Sequence, residues 1–153
     1  MGWLTKAKMV AEHTQKVTHS YIIHYPSHEP RKTDPYYKTF QEWKRAHKHP
    51  EFYRCSFGRE RGDDYSECDL SAPLEAHHSK IELAMMNEVD FTLLEHTYPG
   101  ISDPKTLGTW MNSTPNLLWL CRWHHRGHGG VHTATVSDYN AEHYIRHLIG
   151  GTP

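Results

Sequence analysis

The chain has 153 residues, 37% of them hydrophobic, and a formal net charge of −1. That length allows one domain with a modest core, and no run of about 18 apolar residues is present to cross a membrane. Three cysteines, an odd number, argue against a secreted disulfide framework, and the N-terminus lacks a signal peptide's apolar run, so the expected location is the cytoplasm. The charge is unevenly spread: residues 1–50 carry net +5 and residues 51–153 net −6. The chain therefore divides into a basic N-terminal arm and helix over 1–50, able to grip phosphates, and a second segment over 51–153. The 15 histidines are a compositional hint of metal binding.

Leu4, Ala7, Met9, Val10 and Ala11 give a short helical pattern over 4–17, and Tyr21-Ile22-Ile23-His24-Tyr25 reads as a strand. Pro26 to Pro35 holds three prolines and reads as an extended arm. Asp34-Pro35 starts a helix, with Asp as cap and Pro in the first position. Tyr36, Tyr37, Phe40 and Trp43 follow at helical spacing for packing, while Lys38, Lys44, Arg45 and Lys48 are candidates for phosphate contacts. Residues 52–76 are loop-rich, with Gly58, Gly62 and Pro73. Ser79 is expected to cap a helix over 80–96 whose Met85, Met86, Phe91 and Leu94 are core. Pro99-Gly100 breaks the chain, and Asp103-Pro104 starts a short helix. Leu117 to Cys121 suits a strand, and Arg122 to His128 a helix ended near Gly129-Gly130. Ser137 caps a last helix, in which Tyr144, Ile145 and Leu148 recur before Gly150 and Gly151.

Two histidine-bearing segments carry the chemistry. One is Glu75-Ala76-His77-His78; the other runs from Asn116 through Cys121, His124 and His125 to His128 and His132. Neighbouring residues on a strand point to opposite faces, so a His-His pair can offer one ring to a metal and the other to water. A neutral imidazole can take a proton at working pH. Cys55, Cys68, Cys121 and His124 supply three thiolates and an imidazole, a sound set for structural zinc. The second half of that set is a tight Cys-x-x-His, whereas Cys55 and Cys68 lie 13 residues apart. The alternative is three buried thiols without a ligand.

The His-His pair, Asn116, Cys121 and His125, nine residues after the Asn, resemble the HNH nuclease motif over about 55–137. The histidine- and glycine-rich stretch from His124 to His132 is similar to that of small HNH proteins of bacteriophages. The resemblance implies an α+β fold with a ββα-metal (His-Me finger) HNH core, flanking helices and a stabilising zinc. It implies an endonuclease hydrolysing DNA phosphodiester bonds with one divalent ion, Mg, Mn or Zn. His77 and His125 would be ligands and His78 the general base. Asn116 would hydrogen-bond within the loop and orient His78. The family's usual offset for the third ligand falls on Gly129, so His128 and His132, which flank it, both stand as candidates. Arg126 would bind a phosphate oxygen, and Glu75 would brace a ligand. DNA is then the expected partner, with phage packaging proteins as a further one, no membrane, and the host cytoplasm as the compartment of a phage-encoded chain. The competing reading is a non-catalytic, zinc-stabilised phage accessory module that binds DNA or protein. A purely structural zinc protein is a third.

Overall fold

In the computed structural model, which describes residues 10–20 and 22–149, the architecture is carried by one two-stranded antiparallel sheet. β1 (Glu75–His78) pairs with β2 (Leu117–Leu120), Glu75 opposite Leu120 and His78 opposite Leu117. Directly opposed residues share a face. Ala76, His78, Leu117 and Trp119 therefore lie on one side, and Glu75, His77, Leu118 and Leu120 on the other. Around the sheet sit α1 (Tyr37–Ala46), α2 (Ser56–Glu60), α3 (Phe91–Thr97), α4 (Pro104–Met111), α5 (Arg122–Arg126) and α6 (Val136–Glu142), with a 3-10 helix over Leu83–Glu88. The result is a small α+β fold.

Each sheet face has its own cluster. Phe40 and Trp43 of α1 bury themselves against Leu117 and Trp119, with Tyr53, Leu74 and Ala76 at the margin. Full burial of each such side chain is worth about 1.5–3 kcal/mol. The Trp119 indole N–H donates to the His47 carbonyl at 3.0 Å, which ties the end of α1 to β2. On the other face Leu120 packs with Cys55, Phe57 and Cys121, flanked by Leu118, Trp123, Val131 and Tyr139. A third cluster, Leu94, Ile101, Leu107 and Met111, stabilises the connection between the strands. Among the described residues no helix is long and apolar enough to cross a membrane.

Several expectations shift. The pattern over 4–17 falls partly outside the described residues, and 10–17 are exposed without helix. Tyr21 is likewise outside them, and residues 22–25 form no strand; among the described residues β1 and β2 pair only with each other. α1 begins at Tyr37; Asp34 instead accepts from Tyr36 N at 3.1 Å in the preceding turn. Ser79 caps no helix. Its N–H donates to the Asn116 carbonyl at 2.7 Å, and Lys80 N and Ile81 N donate to the Asn116 side chain, holding this stretch open. The helix starts instead at Asp90, whose carboxylate accepts from Thr92 N and Leu93 N. Met85 lines a cavity rather than the core. The last helix is capped by Thr135, not Ser137, and stops at Glu142. Tyr144, Ile145 and Leu148 are exposed. The expected short helix after Asp103 is present, with a complete capping box between Asp103 and Thr106.

Candidate metal centres

Two clusters of metal-ligating side chains meet at α5. The first joins Cys55, Cys68, Cys121 and His124, whose ligand atoms all lie within 4.8 Å of one another. The His124 Nδ1 is 3.1 Å from the Cys121 sulfur, 3.7 Å from that of Cys68 and 3.9 Å from that of Cys55. Tetrahedral zinc with ordinary Zn–S and Zn–N bonds sets its sulfur and nitrogen ligands about 3.6 Å apart. The group is thus of a size to hold a metal ion such as zinc. All three cysteines are free of disulfides.

Local sequence explains why the distant Cys68 arrives. Cys55 precedes α2, and the chain reverses after it through Gly62 and Asp63, both at positive φ. Tyr65 folds back onto Gly58, where a Cβ would sit 2.3 Å from the Tyr65 ring, so a larger residue would block the return. A shielded ion pair between Arg61 and Glu67, 2.8 Å, then fixes the segment that carries Cys68. On the other side, the backbone N–H of Cys121 donates to the Cys55 sulfur at 3.3 Å and that of His124 to the Cys121 sulfur at 3.5 Å. Phe57 stacks on the His124 ring, centroids 3.6 Å apart.

The thiols cannot all ionise unaided. Hydrogen bonds from Cys55 and Cys68 drive the Cys121 thiol far below its ordinary value. Cys55 is pushed up to about 11, chiefly by its hydrogen bond to Cys121, and Cys68 is raised further by Cys121 and Cys55. Like charges this close exclude one another unless a cation neutralises them.

The second cluster is His77, His125 and His132. Ring centroids are 5.1 Å apart for His77 and His125, 5.0 Å for His77 and His132, and 4.9 Å for His125 and His132. The Nε2 atoms of His125 and His132 face each other at 3.2 Å. Two nitrogens on one tetrahedral ion sit about 3.3 Å apart. Glu75 on β1 sets the His125 ring by pairing with its Nδ1 at 2.5 Å, and it also binds Arg126. Burial pushes the Glu75 carboxyl up, but His125 and Arg126 outweigh it and leave the group below its usual value. Burial, reinforced by His125, His132 and His78, holds His77 down to about 3. Burial also lowers His125, against the pull of Glu75. Neutral rings are the form that binds metals.

Of the two candidates for the third position, His132 is the one brought in. The chain turns back over α5, with Val131 N donating to His124 O and His132 N to His125 O. This close pass needs glycine: a Cβ on Gly130 would lie 2.7 Å from Trp123 O and 2.8 Å from His125 O. His128 is exposed at the tip of the turn. Arg126 is largely exposed and engaged by Glu75.

His78 faces the other way, as alternation requires. Its ring stacks near Phe40 of α1, centroids 5.8 Å apart, and its Nε2 lies 3.4 Å from Asn112 Oδ1. Burial lowers His78 to about 4, which Asn112 opposes and Arg31 reinforces. His77, His78 and His132 line a common cavity of about 490 Å³ with Lys80 and Glu82. Asn116 does bind within the loop, accepting from Lys80 N at 2.8 Å and Ile81 N at 3.1 Å. It makes no side-chain hydrogen bond to His78; Asn112 takes that place. As a lone Asn after a helix, Asn112 carried only a helix-end signal. Comparison with family models, curated proteins and solved structures finds no match for this chain.

Proposed function

We infer that the chain is an HNH-type, metal-dependent endonuclease with a ββα-metal core formed by β1, β2 and α5. The observation that supports this reading is the convergence of His77, His125 and His132 beside a separate Cys3His group, with His78 next in sequence to His77. A divalent ion held by the three histidines would supply positive charge to the scissile phosphate and the leaving oxygen. His78 accepts the proton of the attacking water. Glu75 keeps the His125 ring in place, and the Cys3His group with zinc stabilises the turn into α5. The exposed Lys38 and Arg45 of α1 contact the DNA backbone.

His78 is only 5% exposed, and this favours a second reading, a zinc-stabilised module that holds DNA or protein without cutting. A nicking assay on supercoiled plasmid with magnesium, manganese or zinc separates the two. Metal-dependent nicking by wild type that disappears in His78→Ala supports the nuclease. Equal, metal-independent background in both proteins sinks it.

A further inference from the structure

Deepening the nuclease reading, on which its catalytic consequence rests, we propose that Asn112, the residue that follows α4, is a positioning residue that fixes the tautomer of His78 and leaves Nδ1 as the proton-accepting atom. The motif residue Asn116 is not available for this task. It is fully buried, its Oδ1 is taken by Lys80 N and Ile81 N, and its Nδ2 donates to Ile81 O at 3.2 Å and Met111 O at 3.1 Å.

Asn112 is 4% exposed, and its Nδ2 donates to Tyr36 O and Gly108 O, each at 3.3 Å. Carbonyl oxygens only accept, so the amide nitrogen must lie on that side. The Oδ1 must then face His78 Nε2, 3.4 Å away. An amide oxygen also only accepts, so Nε2 carries the proton. A neutral imidazole has one N–H, and Nδ1 is left bare. Phe40 limits the remaining freedom of the ring, its plane within 18° of that of His78.

The arrangement depends on how α1 and α4 meet. Tyr36, just before α1, lies over Gly108, where a Cβ would be 2.2 Å from its ring. That close approach delivers the Tyr36 carbonyl to Asn112. In the reaction the water oxygen bonds to phosphorus and its proton passes to Nδ1. The P–O3′ bond breaks, and the 3′ oxygen leaves with the electron pair. His78 becomes an imidazolium whose Nε2–H still points at Asn112 Oδ1, which stabilises the new charge.

The test is long-range proton–nitrogen NMR of the zinc-loaded, histidine-labelled full chain, with His78 assigned by its loss in His78→Gln. The expected spectrum has a protonated His78 Nε2 and a bare Nδ1. A protonated Nδ1 in wild type overturns the proposal, whether or not the protein cuts DNA. Asn112→Ala is expected to mix the tautomers and to lower kcat for plasmid nicking about 10- to 100-fold with KM unchanged. A variant that keeps a single Nε2–H tautomer also overturns it. If that variant fails to fold, the wild-type spectrum alone decides. Absence of nicking by wild type counts against the nuclease reading and leaves the tautomer measurement standing.

Discussion

His124 and His125, neighbours on α5, serve two different clusters. His124 Nδ1 points at the Cys121 sulfur, 3.1 Å away, while His125 Nε2 points at His132 Nε2, 3.2 Å away. Consecutive helix residues diverge by about 100°, so one turn of helix can close a buried sulfur-rich group on one side and a more open imidazole group on the other. The two groups therefore share a backbone but not a ligand, and they can be broken separately.

Cys121→Ala is expected to lower stability by on the order of 4 kcal/mol or more, through loss of a bound ion that ties α2, β2 and α5 together. His78→Ala removes a buried ring near Phe40 and is expected to cost less, about 1–3 kcal/mol. Thermal melts with metal analysis check this. The reverse order of melting temperatures would refute the division into a structural and a reactive site.

His132→Ala should weaken divalent-metal binding at the three-histidine group about 10- to 100-fold, and His128→Ala should leave it unchanged. Calorimetric titration of cobalt into protein whose Cys3His group is already filled measures both. Equal losses in the two variants would reject the assignment of His132.

Gly130→Ala places a methyl group against backbone atoms of Trp123 and His125, which cannot swing aside. A cost of about 1–3 kcal/mol is expected, with loss of metal from the three-histidine group and retention at the Cys3His group. Metal content after gel filtration reads out both. Full occupancy at both sites would show that the turn over α5 tolerates a side chain.

Glu142 is 5% exposed, and one of its oxygens has no hydrogen-bond partner. Burial, with Glu67 and Asp138, raises its carboxyl from 4.5 to about 7, and Arg61 only partly opposes this. Because the folded value is the higher one, the contribution to stability is complete below pH 4.5 and is lost as pH rises through about 7. Glu142→Gln stays neutral and should be more stable than wild type above that pH by on the order of 1 kcal/mol, or about 2–4 °C. The gap should close at the acid end. Melting curves of the two proteins across this range check the sign, and a gap that widens on acidification would contradict it.

The elements legible in the sequence were those with local signals. Asp103, Pro104 and Thr106 specify the start of α4 by themselves, through a cap, a fixed φ and a returning hydroxyl. The apolar run of β2 and the cysteine turn into α5 are equally local. The donor types of both clusters could be read as well, because thiolates and imidazoles in that order have few other uses. The helix expected over 80–96 was misplaced for a nonlocal reason: Asn116, 35 residues beyond Ile81, donates to the Ile81 carbonyl that a helix would need.

Sequence alone thus determined which residue types could bind metal and which short segments would form strand or helix around them. Tertiary structure decided which side chains meet. Cys68 returns across 13 residues because Tyr65 fits over Gly58 and Arg61 grips Glu67. His132 displaces His128 because Gly130 lets the backbone pass close over α5. Asn112 reaches His78 because Tyr36 settles on Gly108. The Tyr36–Gly108 contact joins segments 72 residues apart, and the others close loops of five to seven residues through packing that no single-residue propensity encodes.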